Sequence, residues 1–565
     1  MSSAIRSLVQ QKIAQSVRST NLCVSDVQSN LSLKCDAKGD FIFSLPLKTK
    51  QYNIHSAADE IARNSRDVFP NISLNVGGHP AVAFGIPRDV LVKEILESNV
   101  RGLLPPRILS KSHSIVVEFS SPNIAKPVHV GHLRSTIIGN YISNLHSFLG
   151  DKVRKINYLG DWGTQFGYVQ LGIDLLDVSD EAMRSDPITQ LYKAYVYANN
   201  LSPADPTIAV KARQIFEHLE KGDEGLSEKW KVFREYTMDA LAKIYSRLGV
   251  SFDDYDWESM YGLGKMEKVI EHMDRLNILE TDAEERRVVA LNENRTVPII
   301  KSDGSTLYLT RDIAAAIDRF EKYKFDLMYY VVDNAQTDHF KSLMTVLGKM
   351  DMPWAERIRH VKFGKIRGMS TRRGTAVFLS DFLNEARDAM REKQESTLTT
   401  KVSLEADDNS CDILGMSAVV IHDLKQKRQR DYEFDWNVAL DIKGETGVKL
   451  QYTHCRLVSL EEICGIPLPD ECCPAILNEP CVNALVAKIV QFDEAVISSY
   501  QTLEPCHLVK YLFDLSHTVN KTLKELRVKD APSDVASQRL LLFRVARNVL
   551  GEGLTLLGLR PLEKM

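Results

Sequence analysis

His129 and His132, separated by Val-Gly, lie within EFSSPNIAKPVHVGHLRS, residues 118–135. An apolar run, residues 114–119 (SIVVEF), leads into them. Leu133, Ile137, Ile138, Tyr141, Ile142, Leu145 and Phe148 follow at helical spacing, so a helix over 131–149 is expected with one face on a sheet. A strand that ends in a small-residue turn and opens a helix suits an anion, because the leading amides and the helix dipole face it. Imidazoles at that turn add donors whose charge rises beside developing negative charge. Gly131 leaves room for a ligand against the backbone. A lone histidine near a helix start is more often a cap or a packed residue. Two of them, with Lys126 three residues upstream, point instead to nucleotide chemistry.

A second stretch, residues 368–374 (GMSTRRG), follows the strand-like HVKFG. Small, hydroxylic and basic residues between glycines suit a mobile loop that closes over polyphosphate. The elements that must carry these stretches alternate in type. Runs 114–119, 153–158, 327–332 and 359–363 read as strands separated by helices, the rhythm of a parallel sheet covered by helices. A charged, helix-rich insertion occupies about 179–260. Residues 1–105 mix helical and strand-like pieces, such as 72–76 and 81–84, and end at LLPPR, where prolines break regular structure. Residues 393–410 read as a polar linker, and helical periodicity dominates 406–565. The expected domains are therefore 1–105 (α+β), 106–405 (α/β) and 406–565 (all-α).

Composition narrows the partners. With 565 residues, 44% apolar and 26% charged, the chain is of the globular, multidomain kind, and no apolar run approaches the ~18 residues that span a bilayer. Nine cysteines include no CxxC pair and no His/Cys cluster, so zinc is not expected. The net charge is −4, yet residues 506–565 carry ten basic against six acidic side chains, and KQKRQR (425–430) adds a second basic run. Two such regions suggest a polyanion partner, although a solvated helix face is the plainer alternative for each. Residues 1–24 hold Arg6, Lys12, Arg18 and five serines with no acid, the composition of a mitochondrial transit segment over about 1–25 or of an ordinary first helix.

The two stretches resemble the signatures of class I aminoacyl-tRNA synthetases, and more narrowly those of the arginyl-tRNA synthetase family. NYLGDWGTQFG (157–167), STLYLTRD (305–312), VVDNAQTDHF (331–340), TGVKLQYTHCR (446–456) and the closing LLGLRPLEKM (556–565) are similar to that family's blocks. The form of the GMSTRRG loop places the chain near the fungal and animal-mitochondrial branch. The resemblance implies a Rossmann-like (HUP-type) catalytic domain, an N-terminal domain that contacts the tRNA elbow and a helical anticodon-binding domain.

It also implies ATP, with Mg²⁺, L-arginine and tRNA(Arg) as ligands, a monomer off the membrane, and an arginyl-adenylate step that itself needs tRNA. The arginine site maps onto Glu118, Ser120, Ser121, Asn123, His129, Tyr308, Asp312 and Gln336. Carboxylates such as Glu118 and Asp312 suit the guanidinium fork, Asn123 and Gln336 the head group, and Tyr308 walls the side-chain channel. ATP maps onto Lys126, His129, Gly131, His132, Gly368, Met369, Ser370, Thr371 and Arg372, with His129, His132 and Lys126 catalytic. Lys449, Gln451, Tyr452, Arg456 and Met565 map onto tRNA contacts. The chain departs from the KMSKS form of the class I loop: Gly368 stands where a lysine begins it, which leaves Lys126, Arg372 or Arg373 to meet the β- and γ-phosphates. Lys449 stands where the family commonly has an aromatic, so a phosphate contact is more natural there than base stacking. The alternatives are a class I synthetase for another amino acid and a non-catalytic tRNA-binding paralogue. The mitochondrial matrix is the expected location, the cytoplasm the alternative.

Overall fold

The computed structural model describes residues 32–35, 41–46, 54–66, 71–75, 81–109, 111–124, 128–369, 378–396 and 408–565. The transit-like segment 1–25 therefore lies outside the described residues. Strands β1 (Ser32–Cys35), β2 (Phe41–Pro46), β3 (Asn71–Asn75) and β4 (Ala81–Ile86) form an antiparallel sheet in the order β1-β2-β4-β3, accompanied by helices Ile54–Ser65 and Arg88–Asn99. Alternation builds its inner face: Phe41, Phe43 and Leu45 of β2 and Val82, Phe84 and Ile86 of β4 are buried. The prolines of LLPPR lie in irregular backbone ahead of β5 (Ser114–Glu118).

From β5 the chain builds one parallel sheet with β6 (Lys152–Leu159) and β7 (Asp254–Trp257) on one side. It then makes a separate antiparallel sheet of β8 (Leu279–Thr281), β9 (Arg287–Asn292) and β10 (Arg295–Ile300). Strands β11 (Leu327–Asp333) and β12 (Ile358–Phe363) return to the other side of β5 and complete the order β12-β11-β5-β6-β7. The reversal between β5 and β11 opens a crevice at their carboxyl ends, where open parallel sheets bind ligands. The four expected apolar runs are four of these strands. β7 escaped periodicity because its sequence, DYDW, places acids on an edge strand. β8–β10 escaped it because they are short.

The helix after β5, Gly131–Phe148, is buried on more than the one face expected of it: Ser135, Thr136, Asn140 and Ser143 are enclosed together with its apolar residues. The reason is tertiary. One side receives Phe119, which fits because a Cβ on Gly139 would stand 2.2 Å from that ring. The other side meets the C-terminal helices, with Phe148 edge-on to Phe492 at 6.2 Å and Asn144 Nδ2 donating to the carbonyls of Thr555 and Leu556.

The insertion, expected to be helical over about 179–260, is helical only as far as Arg247 (Asp180–Ser185, Pro187–Leu201, Pro206–Glu220 and Glu224–Arg247), since Asp254–Trp257 is β7 of the main sheet. Ser179, Asp205 and Asp223 cap three of these helices by accepting from backbone amides. The insertion packs on helix Thr164–Leu176 at Gly167 and Gly172, where a Cβ would meet the Ala212 and Ala194 carbonyls at 1.9 and 2.0 Å. Helix Leu379–Glu395 runs into the polar stretch 393–410, and Asp408–Leu424 begins before it ends.

After them come β14 (Tyr432–Glu433), which pairs in parallel with β13 (Ile366–Arg367), and then helices Gly447–Cys464, Pro480–Val490, Phe492–Thr502, Pro505–Glu525 and Ser533–Leu556. One apolar cluster runs from Phe43 through Tyr141 and Leu145 to Leu541 and Val549. Among the described residues no helix is long and apolar enough to cross a membrane.

Candidate active site

The turn after β5 is built from strained backbone. Ser120 and Ser121 both have positive φ (77° and 49°), a conformation that costs a non-glycine residue of order 1–3 kcal/mol. Hydrogen bonds hold it. Ser120 N donates to Ser135 Oγ at 2.9 Å and Ser121 N to Asn157 Oδ1 at 3.0 Å. The Ser120 hydroxyl lies 2.8 Å from both Tyr245 Oη and Thr136 Oγ1. Asn123 then bridges to Gly160 beyond β6, where a Cβ would stand 2.0 Å from Asn123 Oδ1.

Glu118, at the end of β5, is buried. Ser121 Oγ donates to its Oε1 at 2.6 Å, and Arg319 Nη1 stands 3.6 Å from Oε2. Arg319 is the hub of this region. Its Nε donates to Asp256 Oδ2 at 2.7 Å, its Nη1 donates to Tyr330 Oη at 3.2 Å, and its guanidinium lies 4.8 Å from the Tyr158 ring centre. Burial pushes the Glu118 carboxyl up and the Arg319 charge opposes that shift.

A cavity of about 320 Å³ opens beside this network, lined in part by Asn123, Gly160, Asp161, Trp162, Glu258 and Tyr308. Tyr308, at the start of helix Tyr308–Tyr323, is 74% exposed and forms its rim. One turn on, Asp312 Oδ2 is 2.7 Å from His339 Nε2. Glu258 lies 3.2 Å from Arg311, yet burial raises its carboxyl to about 7. Asp161 accepts from the amide and hydroxyl of Ser259 and stands 3.6 Å from Arg234. Gln336, exposed, ends the short helix after β11. Two acids, Asp161 and Glu258, thus line the cavity, and a planar cation with several donors suits it.

At the histidine turn, the leading amides of helix Gly131–Phe148 are already used: Gly131 N donates to His129 Nδ1 (3.1 Å), His132 N to the His129 carbonyl (3.0 Å) and Leu133 N to that of Val130 (3.1 Å). This corrects the expectation of open amides for an anion; the turn presents imidazoles instead. A Cβ on Gly131 would stand 2.7 Å from His129 Cε1, so the glycine also lets that ring fold over the helix start. With His129 Nδ1 accepting from Gly131 N, Nε2 is the ring nitrogen that carries the proton in the neutral imidazole. The His132 ring lies 4.0 Å from that of His129, and its Nδ1 is 3.3 Å from the His129 carbonyl. Burial, followed by repulsion from His129, lowers His132 to about 4, so it is neutral at pH 7. His129 also bridges to Phe378. Lys126, Ser370, Thr371, Arg372 and Arg373 lie outside the described residues. Gly368 (φ 69°) and Met369 end a stem held by the β13–β14 ribbon rather than by the main sheet.

The residues assigned to tRNA divide. Tyr452 is 46% exposed with the Arg456 guanidinium 5.9 Å from its ring centre, and Lys449 is half-buried on the same helix. Gln451 is fully buried: its Nε2 donates to the Arg560 carbonyl at 2.9 Å and its Oε1 accepts from Leu562 N at 2.9 Å. It fastens the C-terminal tail, a correction to its placement at a tRNA surface. Met565 packs against the cluster that holds Cys455 and Leu562. In the basic run 425–430, Arg428 turns inward, its amide donating to Glu504 and its guanidinium to the Lys362 carbonyl.

Sequence reading missed Glu258, Arg319, Asp161 and Arg234. For Arg319 a signal existed: it shares a helix face with Asp312 and Ala315, so a cation stands where the helix is buried.

A parallel sheet with paired histidines at its reversal and an all-helical C-terminal region is the organisation of a class I aminoacyl-tRNA synthetase. Residues 92–436 match the family described as tRNA synthetases class I (R), catalytic domain, and residues 450–565 match the DALR anticodon binding domain. The chain is 42% identical over 498 residues, 86% of each protein, to the "Probable arginine--tRNA ligase, mitochondrial" of Bos taurus. It is 37% identical over 583 residues to the "Probable arginine--tRNA ligase, cytoplasmic" of Dictyostelium discoideum, covering 96% of this chain and 98% of that one. In fold it is similar to the arginyl-tRNA synthetase of Thermus thermophilus, with a TM-score of 0.81 at 22% identity over 99% of this chain and 100% of that one. The chain belongs to the arginyl-tRNA synthetase family. Its class I domain implies use of ATP.

Proposed function

We propose that this chain attaches L-arginine to tRNA(Arg) in two steps at the crevice between β5 and β11. The arginine carboxylate attacks the α-phosphate of ATP and pyrophosphate leaves. The terminal ribose hydroxyl of the tRNA then attacks the adenylate carbonyl and AMP leaves. The observation that carries this reading is the cavity under Tyr308, which holds Asp161 and Glu258 and is lined by Asn123 and Ile124 of the segment that leads from β5 to the paired rings of His129 and His132. Asp312 and Glu258 receive the guanidinium, Tyr308 walls it, and Asn123 and Gln336 hold the head group. Glu118, already engaged by Ser121 and Arg319, shapes the floor with Ser120 and Ser121. Lysine, lacking the fork, leaves acceptors unpaired and is rejected.

On the other side no protein nucleophile is needed, so catalysis is positioning and electrostatics. His129 Nε2 donates to phosphate. His132, whose burial lowers it to about 4, takes a proton as phosphate charge arrives and then donates as well. Lys126 and the 368–374 loop complete the polyphosphate grip. Mg²⁺ would ride chiefly on phosphate oxygens and water, its usual mode; among the described residues no group of three His, Cys, Asp or Glu side chains could hold it alone.

Exposed Tyr452 and Arg456, with Lys449, serve the tRNA surface, and the zones 1–105, 106–405 and 406–565 serve elbow, chemistry and anticodon. We read the chain as mitochondrial, on the acid-free segment carrying Arg6, Lys12 and Arg18, and as a monomer; a reporter fused to residues 1–30 that stays cytosolic refutes the location. The central test is charging of a tRNA(Arg) transcript with each of the twenty amino acids. Arginine alone should be esterified, and pyrophosphate exchange should require tRNA. Charging of another amino acid, or of none, defeats the reading.

A further inference from the structure

One buried guanidinium joins the two halves of the nucleotide side and takes no part in the steps above. Arg134 follows His132 by two residues and is 1% exposed. Its Nε is 2.9 Å from Asp423 Oδ2, and Asp423 is equally enclosed at the end of helix Asp408–Leu424. Its Nη1 donates to two carbonyls on different chain segments, Gly364 at 2.7 Å and Arg430 at 2.9 Å. Tyr432 lies with its ring centre 5.1 Å from the guanidinium carbon and donates its hydroxyl to Asp423 Oδ2 at 2.8 Å.

The partners come from three parts of the chain. Gly364 follows β12 and precedes by four residues the Gly368 that opens the phosphate loop. Arg430 and Tyr432 belong to the segment that enters the helical region, and this same segment holds the loop stem. Gly364 N donates to the Arg428 carbonyl at 3.0 Å, Lys365 N donates to Asp431 Oδ1 at 2.7 Å, and Ile366 and Arg367 pair with Tyr432 and Glu433. The basic run 425–430 thus supplies backbone acceptors as well as charge.

A buried ion pair is a poor device for stability alone, since desolvation offsets most of its attraction. A guanidinium, however, can hold a carboxylate and two carbonyls in fixed relative directions, which a lysine cannot. We infer that Arg134, oriented by Asp423, is a positioning residue that sets the spacing between the histidine turn and the stem of the 368–374 loop, and ties both to the helical domain. This rests on the ATP reading above.

The test uses the full chain with ATP, arginine and tRNA(Arg), and compares Arg134→Lys and Asp423→Asn with Val549→Ala, a core change in helix Ser533–Leu556. Pyrophosphate exchange and melting temperature are measured together. Arg134→Lys should lower the exchange kcat about 100-fold, the scale of a misplacement near 1 Å, with the arginine KM within about twofold of wild type. Asp423→Asn should behave likewise, and Val549→Ala should lose melting temperature without losing kcat. Should Arg134→Lys not fold, Tyr432→Phe carries the same expectation at about tenfold, about the ~1.4 kcal/mol scale of one hydrogen bond. Wild-type exchange in Arg134→Lys overturns the inference, as does a kcat loss that tracks melting temperature equally in Val549→Ala, or an equal loss in arginine affinity. A wild-type chain that exchanges no pyrophosphate overturns the ATP reading and the inference with it.

Discussion

The two sides of the crevice, proposed above to take the amino acid and the nucleotide, share one turn yet are built in opposite ways. The amino-acid side is assembled before any ligand arrives: Ser120 and Ser121 are locked in strained backbone, and Glu118 and Asp256 are already paired with Arg319. The nucleotide side is incomplete in charge, with His129 exposed and His132 neutral. The contrast follows from what each must do. Discriminating arginine from other amino acids requires acceptors fixed in place, so that a wrong ligand leaves them unpaired. Stabilising a transition state rewards charge that strengthens as the reaction proceeds rather than charge already satisfied.

That comparison can be broken at several points. The largest effect is expected at Arg319. Arg319→Leu leaves Glu118 and Asp256 buried without their cation and should cost about 3–5 kcal/mol of stability in urea denaturation; a loss under about 1 kcal/mol would show that the amino-acid side is not held by this hub.

His132→Gln tests the other side. Its exchange kcat should fall about 10²–10³-fold, the usual scale for a lost transition-state donor, with the arginine KM unchanged. A change confined to the arginine KM would erase the division between the two sides.

A smaller effect is expected from Glu258. Its carboxyl, raised to about 7 by burial, must ionise to meet a guanidinium. The arginine KM should therefore be flat above pH 7 and rise toward tenfold per unit below it. Glu258→Gln should raise KM and flatten that profile; an unchanged profile would exclude Glu258 from the pocket.

The smallest is acid lability. His132 and His422, each lowered to about 4, bind protons more readily when unfolded. Their contribution to stability is full above about pH 6.5, the ordinary histidine value, and is lost as pH falls toward 4. Melting temperature should decline through that window, and less so in His132→Gln.

Local signals carried far in this chain. The four apolar runs became β5, β6, β11 and β12, the insertion is helical as far as Arg247, and the histidine turn stands where strand gives way to helix. Glu118, Asn123, Tyr308, Asp312 and Gln336 come to the carboxyl ends of β5, β6 and β11 and the segments beside them. What periodicity could not reveal was which way polar side chains face. Gln451 and Tyr452 are adjacent in one helix, yet the first is enclosed by the C-terminal tail and the second is open.

Residue types and their spacing determined the order of elements and the chemistry available, because strand, turn and helix depend on neighbours a few positions apart. Tertiary structure alone decided which of those groups are free to act. Pairing and desolvation depend on partners distant in the chain: Arg134 waits for Asp423, Glu118 for Arg319, and Gln451 for Leu562. Burial then sets the charge each group carries, lowering His132 to about 4 and raising Glu258 to about 7.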